Sequence, residues 1–156
     1  MRAVIPVAGV GTRLRPHTYS LPKVLLNVAG NTILGHILDA IQEQGINKAT
    51  IITGYMGKSV EEYVNSHYDM EVDFVLQEDR KGLAHAIWLG RQTYDEPLMI
   101  ILGDTIFEGD LSLAWKSGMS SLGVKKVDDP RRFGVVETDE DGYCTNLVAK
   151  PEEFVS

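Results

Sequence analysis

The residues of this chain that are best suited to chemistry are two glycines, two cations and one carboxylate. Gly9 and Gly11 follow a short apolar run, and Arg13 and Lys23 come soon after them. Glycines let the main chain turn tightly, so that its N–H groups can face phosphate oxygens whose charge the cations neutralise. Asp104 follows the most apolar run of the chain, and a carboxylate beside a phosphate site can bind Mg²⁺. These residues together predict a phosphate site, although Asp104 taken alone is better explained as a cap or turn residue.

Two common phosphate-binding motifs do not fit the glycine segment. A Walker A loop needs a Lys-Ser or Lys-Thr pair directly after its second glycine, and none follows Gly11. A dinucleotide fingerprint needs a third glycine where Leu14 stands, and an acidic residue where Thr53 is followed by Gly54. The sequence therefore excludes both P-loop and NAD-type binding.

The elements that must position these residues alternate between strand and helix patterns. Apolar runs predict buried strands over residues 3–7, 49–53, 72–76 and 97–102, the last as a central parallel strand. Helical spacing predicts helices over 33–41, 59–68 and 82–92, with Leu83, Ile87 and Trp88 of the third facing inward. This order predicts an α/β fold, a Rossmann-like open and mostly parallel sheet with helices on both faces. Ligands bind beyond the carboxyl ends of the strands in such sheets, where the glycine segment and Asp104 would meet.

The pattern changes towards the C-terminus. Residues 122–127, 134–138 and 143–148 are short runs that contain β-branched and other apolar residues, and turn residues separate them. This spacing predicts antiparallel strands, of which the last two form a hairpin around residues 139–142.

Composition and charge restrict the class of protein. The chain has 156 residues, one cysteine and a formal charge of −7, which argues against a general nucleic-acid or anionic-membrane surface. Residues 1–38 nevertheless carry four cations and no acid, which suits a small anionic ligand. No apolar stretch approaches the roughly eighteen residues of a membrane span, and one cysteine cannot form an internal disulfide. We expect a soluble, cytoplasmic protein with no membrane or nucleic-acid partner.

Other residues that often carry chemistry are interpreted as structural. His17, His36, His67 and Cys144 show no metal-ligand spacing. Trp88 and Trp115 lie in helical patterns, and packing is the expected role of both side chains.

Several ordered motifs together make the chain recognisable. It resembles the sugar-phosphate nucleotidyltransferases, in particular the glucose-1-phosphate uridylyl- and thymidylyltransferase type. The motifs that carry the resemblance are Gly-x-Gly-Thr-Arg-Leu-Arg-Pro over residues 9–16, Leu-Pro-Lys over 21–23, Gln77 with Gly-Leu-Ala over 82–84, Leu-Gly-Asp over 102–104, the segment 129–137, and Lys150 with Pro151. They span nearly the whole chain, so residues 1–156 are expected to form a nucleotidyltransferase catalytic domain, or its N-terminal portion only.

The resemblance implies a role for each matching residue. Arg13, Lys23 and Asp104 would be catalytic, the cations on the nucleotide phosphates and Asp104 as a ligand of Mg²⁺. Gly134 and Lys150 would bind the sugar phosphate. The implied nucleotide-binding residues are Ala8, Gly9, Gly11, Thr12, Gln77, Gly82 and Gly103, of which Gln77 and Gly82 would read the base.

The activity implied by the resemblance is transfer of a nucleotidyl group from UTP or dTTP to a sugar 1-phosphate. Glucose 1-phosphate is the expected acceptor, the products are an NDP-sugar and pyrophosphate, and homo-oligomers are compatible with the sequence. One alternative is a nucleotide-binding or regulatory fragment without turnover, because Ala149 stands where the family places Glu and a second metal-binding Asp would lie after Ser156. A further alternative is an α/β domain in which the glycine loop is only structural. Uracil and thymine differ by a methyl group, so the sequence does not choose between the two nucleotides.

Overall fold

The computed structural model describes residues 1–129 and 133–149 of the chain. They fall into two compact units, Met1–Ser112 and Leu113–Ser156. Each unit is described separately below.

The first unit contains a parallel sheet of four strands. The strands are β1 (Arg2–Pro6), β4 (Lys48–Thr53), β5 (Glu71–Leu76) and β6 (Leu98–Ile100), and their order across the sheet is β5-β4-β1-β6. Val4 of β1 pairs with Thr50 on one side and with Ile100 on the other. A second, antiparallel ribbon of β2 (Asn27–Val28) and β3 (Asn31–Thr32) follows the glycine segment. The predicted parallel sheet is confirmed.

Helices connect the parallel strands. They are α1 (Ile33–Glu43), α2 (Gly57–His67) and α3 (Leu83–Leu89), and α4 (Ser112–Lys116) follows the sheet. Thr32 caps α1, because its side-chain oxygen accepts a hydrogen bond from the Gly35 N–H at 2.8 Å. Helix α2 begins two residues before the predicted Ser59. Over residues 1–129 and 133–149, no helix has the length and apolarity needed to cross a bilayer.

The core lies on both faces of the two inner strands. Val4 and Ile52 pack with Ala86 of α3 on one face. Neighbouring side chains of a strand point to opposite faces, and Ile5 and Ile51 are also completely buried. Both faces are therefore covered, as a βαβ arrangement requires.

Strand β6 differs from its prediction. It pairs only with β1 among the described residues and so forms an edge of the sheet, whereas the sequence predicts a central strand. Ile100 is 50% exposed and Leu102 is 43% exposed. The apolar residues of this segment predicted burial. The position of a strand in the sheet depends on which other strands pair with it, and the local sequence does not show those partners.

The inward face of α3 also differs from its prediction. Ala86 is buried and Ile87 packs against the core, but Leu83 and Trp88 are 47% and 55% exposed. The α-helix ends at Leu89 and continues as a 3₁₀ turn over Gly90–Gln92. Fewer of its side chains therefore face the core than the predicted helix over residues 82–92 would place there. The predicted packing role of Trp88 is wrong: the ring is covered by the Arg91 guanidinium, 3.6 Å from the ring centroid.

Arg2 belongs to the opposite end of the sheet from the glycine segment. It is buried at the start of β1 and makes ion pairs with Glu71, at 2.8 Å, and with Asp73. Of the four cations in residues 1–38, Arg13, Arg15 and Lys23 therefore lie on the glycine-segment side. Arg2 therefore stabilises the fold. It is not one of the cations that could bind the small anionic ligand predicted for residues 1–38.

The second unit contains an antiparallel hairpin of β7 (Gly134–Thr138) and β8 (Cys144–Ala149), which confirms the predicted hairpin. Residues 122–127 form no strand, contrary to the prediction. Leu122 and Val124 are exposed, and a strand needs a partner for its main chain as well as an apolar pattern.

Tyr68 is expected to make the stability of the first unit depend on pH above its ordinary pKa of 10.0. Burial, followed by the hydrogen bond that its hydroxyl donates to Asp39 at 3.0 Å, raises the pKa of Tyr68. The unfolded chain then loses this proton at lower pH than the folded chain. Stability from this group is complete below the unfolded pKa and declines as pH rises towards the folded pKa.

Urea titrations of the wild type and of Tyr68→Phe at pH 8 to 11 test this dependence. The wild type should lose more unfolding free energy over this interval than Tyr68→Phe. Tyr55→Phe is the matched control, because Tyr55 is 89% exposed. Equal losses in the wild type and in Tyr68→Phe contradict the assignment.

Candidate active site

Two main-chain segments meet at the carboxyl edge of the sheet. One follows β1 and begins with Val7, whose N–H donates a hydrogen bond to the Ile52 carbonyl at 2.8 Å. The other follows β6, where the Ile101 N–H donates to Val4 and the Gly103 N–H donates to the Pro6 carbonyl at 3.2 Å. Asp104 is thereby held beside the start of the glycine segment, as the sheet topology predicts.

Gly103 lies too close to β1 to carry a side chain. A Cβ at this position would lie 2.7 Å from the Pro6 carbonyl oxygen and 2.6 Å from a Val7 methyl carbon. Contacts this short are not tolerated, so glycine is required for the close approach of the two segments. The absence of a side chain at Gly103 thus determines where Asp104 lies.

The glycine segment turns at Gly11, which has a φ of 63°. The Gly11 carbonyl accepts hydrogen bonds at 2.9 Å from the Leu14 N–H and from the Thr18 hydroxyl. A Cβ at Gly11 would lie 2.9 Å from the Cβ of Lys23. The turn therefore packs directly against the residue that carries the second predicted cation.

Lys23 and Asp104 form an ion pair. The Lys23 Nζ lies 2.6 Å from the Asp104 Oδ2, and the side chains are 27% and 52% exposed respectively. Lys23 begins a 3₁₀ helix whose next residues, Val24 and Leu25, are buried and anchor it. The structure thus brings together two of the three predicted catalytic residues, which are far apart in the sequence.

The donor set at this edge fits a magnesium ion that is shared with a substrate. Among residues 1–129 and 133–149, no group of three His, Cys, Asp or Glu side chains could hold a metal ion. Asp104 offers one partly exposed carboxylate, and Mg²⁺ is commonly bound by one or two carboxylates together with phosphate oxygens. Asp104 could therefore hold Mg²⁺ with a nucleotide.

A cleft of about 160 Å³ lies beside the glycine segment. Its walls include Ala8 and Gly9, and Arg15 and Arg80 add two positive charges. Within the described residues, the N–H groups of Ala8 and Gly9 donate no main-chain hydrogen bond. They are therefore available to an anionic ligand.

Thr12 and Arg13 lie on a 3₁₀ helix, Thr12–Leu14, and both are exposed. Across the described part of the chain, Arg13 makes no ion pair. Its guanidinium is free to bind a ligand.

Gln77 and Gly82, the predicted base-reading residues, are in direct contact. Gln77 follows β5, and its main-chain N–H donates a hydrogen bond to the Thr53 carbonyl at 2.8 Å. Gln77 is buried, with 5% of its surface exposed. Its side-chain Nε2 donates to the Gly82 carbonyl at 3.2 Å and lies 3.1 Å from the His85 Nδ1. No sequence motif indicates His85, because only the turn at Gly82 brings it back to Gln77.

The remaining predicted residues belong to the second unit. Gly134 begins β7 and pairs with Ala149. Lys150 lies outside the described residues. The sugar-phosphate assignment of both residues stays a prediction.

The chain is similar to proteins of known family. The profile of a protein family described as nucleotidyl transferase matches residues 2–156. The chain is 35% identical over 153 residues to the bifunctional protein GlmU of Methanococcus vannielii, covering 98% of this chain and 36% of that protein. It is 36% identical over 165 residues to UTP-glucose-1-phosphate uridylyltransferase AglF of Haloferax volcanii, covering 98% of this chain and 66% of that protein. The chain thus spans between about a third and two thirds of the length of these relatives.

A solved structure shows the same fold. The structure named as a glucose-1-phosphate thymidylyltransferase from Bacillus anthracis, in complex with sucrose, is 28% identical with a TM-score of 0.85, covering 98% of this chain and 65% of that one. The profile match over nearly the whole sequence, together with a glycine segment, a lysine and an aspartate at one sheet edge, shows that this chain belongs to the nucleotidyl transferase family.

Proposed function

We propose that the chain provides the nucleotide-binding part of an enzyme that transfers a nucleotidyl group from UTP or dTTP to a sugar 1-phosphate. Glucose 1-phosphate is the proposed acceptor, and the products are an NDP-sugar and pyrophosphate. The observation that carries the proposal is the Lys23–Asp104 pair at 2.6 Å beside the glycine segment. The relatives named as uridylyl- and thymidylyltransferases support the choice of nucleotide and sugar.

The proposed reaction is an in-line displacement at the α-phosphorus of the nucleotide. A phosphate oxygen of the sugar 1-phosphate forms the new bond, and the bond to the pyrophosphate oxygen breaks with its electron pair. The proposed site needs no covalent intermediate, because its residues bind and stabilise charge. Mg²⁺, held by Asp104, would supply additional neutralisation of phosphate charge.

The residues of the chain have separate tasks in this proposal. The free N–H groups of Ala8 and Gly9 bind phosphate oxygens, and Gly11 and Thr12 shape the segment that carries them. The Lys23 ammonium group pairs with the Asp104 carboxylate and can pair instead with a phosphate oxygen of the nucleotide, because both groups are anionic hydrogen-bond acceptors. Arg13 provides the second cation.

Sugar binding would involve the second unit. We assign the sugar phosphate to Gly134 and Lys150, and residues 1–156 to the N-terminal portion of the catalytic domain. A cytoplasmic location and a homo-oligomer are compatible with the single cysteine and the acidic composition. Ala149 favours the alternative of a nucleotide-binding fragment without turnover, since a methyl group cannot accept hydrogen bonds from sugar hydroxyls.

Isothermal titration of the wild type and Asp104→Asn with UTP and with dTTP tests the nucleotide site. In Mg²⁺, Asp104→Asn should bind about tenfold or more weakly, equivalent to roughly 1.4 kcal/mol. In EDTA, the variant should bind as well as the wild type or better, because removal of the carboxylate frees Lys23. Weaker binding of the variant under both conditions contradicts a metal role for Asp104.

Addition of glucose 1-phosphate and measurement of pyrophosphate then separate the two candidate functions. Release that depends on Asp104 supports the transferase. Binding of UTP or dTTP without release supports the fragment without turnover. If neither nucleotide binds, the loop is structural and the proposal is wrong.

A further inference from the structure

Both hydrogens of the Gln77 side-chain amide are used inside the protein. The Nε2 atom donates to the Gly82 carbonyl at 3.2 Å and lies 3.1 Å from the His85 Nδ1. An amide nitrogen carries two hydrogens, and the neutral imidazole offers one acceptor nitrogen. Two acceptors therefore hold the nitrogen end of an amide that is more than nine-tenths buried.

The His85 ring is itself held in place. It is stacked on Trp88, with the ring centroids 6.2 Å apart and the planes 20° from parallel. Arg91 lies over the same indole, 3.6 Å from its centroid, and donates a hydrogen bond to the Trp88 carbonyl at 3.1 Å. The exposed Trp88 thus has a role that packing in the core does not explain, because it supports the ring that faces Gln77.

The oxygen end of the Gln77 amide has no such partner. Across residues 1–129 and 133–149, the Gln77 Oε1 accepts no hydrogen bond from the protein. A free side-chain amide can offer a base both a donor and an acceptor. With its nitrogen held by Gly82 and His85, Gln77 presents an acceptor only.

We propose that His85 is a positioning residue that fixes the orientation of the Gln77 amide and thereby selects the nucleotide base. This inference rests on the proposed function, in which Gln77 meets the base of UTP or dTTP. Uracil and thymine in a nucleotide have a single N–H group, at N3, so this group donates to the Gln77 Oε1. Cytosine carries a lone pair at N3, and two facing acceptors repel each other.

Replacement of His85 with leucine and with asparagine tests the inference. Leucine removes the acceptor, whereas the asparagine side-chain oxygen can occupy the place of Nδ1 and accept the same hydrogen bond. Isothermal titration with UTP and CTP gives the ratio of the two affinities. We expect His85→Leu to lower the preference for UTP by about tenfold, the value of one hydrogen bond, and His85→Asn to restore it. His67→Leu, which removes an exposed histidine from α2, should retain the wild-type ratio.

A second measurement examines the hydrogen bond without a nucleotide. The inference requires His85 to be protonated on Nε2 and free on Nδ1, and ¹⁵N NMR of the histidine ring distinguishes this tautomer from the other. Protonation on Nδ1 in the neutral ring overturns the inference.

Gln77→Ala separates failure of the inference from failure of the proposed function. If Gln77→Ala weakens UTP binding while His85→Leu retains the wild-type ratio, the positioning role is wrong and the proposed base site stands. If Gln77→Ala binds UTP as the wild type does, the base site itself is wrong, and the role of His85 fails with it.

Discussion

Replacement of Lys23 with alanine is expected to reduce the rate of pyrophosphate release by about 10²–10³-fold. Lys23 is the cation that the structure places against the glycine segment and within 2.6 Å of Asp104. Negative charge on the phosphoryl oxygens is stabilised by a fixed cation, and alanine leaves that charge unpaired. The effect should appear in kcat, measured by continuous detection of pyrophosphate with saturating nucleotide and glucose 1-phosphate.

Two further lysine variants test whether the effect comes from the charge at position 23 or from the loss of any positive charge on the protein. Lys23→Arg keeps the charge but changes its shape, so partial activity is expected. Lys48→Ala removes a lysine at the first position of β4, the end of the sheet opposite the site, and should retain wild-type kcat. Wild-type turnover in Lys23→Ala contradicts the phosphate assignment.

Gly103→Ala is expected to destabilise the first unit by about 1–3 kcal/mol. The new methyl group would meet the Pro6 carbonyl oxygen at 2.7 Å, and a main-chain atom inside the sheet cannot move aside as a flexible side chain can. Relief of this contact requires separation of β6 from β1, which also displaces Asp104. Urea denaturation measures the loss of stability, and titration with UTP in Mg²⁺ measures the accompanying loss of affinity.

Gly9→Ala is the matched control for this substitution. A Cβ at Gly9 would have no atom within 4 Å, so the stability of the variant should remain within about 0.5 kcal/mol of the wild type. If Gly103→Ala is as stable as Gly9→Ala, the close approach of the two segments is not a constraint on the fold.

Elements with a strong periodic pattern were predictable from the sequence. Helix α1 has apolar residues at helical spacing from Ile33 to Ile41, and the structure confirms a helix there. The parallel strands followed from apolar runs separated by helices. In each case the information is local, since spacing along the chain determines which face is buried.

Features that depend on distant partners were not predictable. Apolarity of residues 97–102 indicated a buried strand, yet only the pairing pattern shows that β6 is at the edge. Arg2 is one of the four cations of residues 1–38, but its position at the start of β1 directs it away from the glycine segment, to Glu71 and Asp73. Arg2 and the glycine segment are close in the sequence, but they lie at opposite ends of β1 and therefore at opposite edges of the sheet.

The site divides in the same way. Glycines, cations and Asp104 indicated a phosphate site by their types, but their spacing did not show that Lys23 and Asp104 form a pair. His85 gave no signal, because its contact with Gln77 arises from the turn at Gly82, where φ is 98°. Residue types suggested the chemistry, and only the folded chain shows which groups restrain each other.

The position of β1 between β4 and β6 has a consequence for synthesis of the protein. Val4 pairs with Thr50 and with Ile100, so β1 is synthesised before both of the strands that flank it in the sheet. Contacts so distant in sequence slow folding, since a long segment must be ordered before they form. The glycine segment is therefore made before β6 and reaches Asp104 late, and nascent chains that stop before β6 lack the approach of the two segments on which the proposed nucleotide site depends.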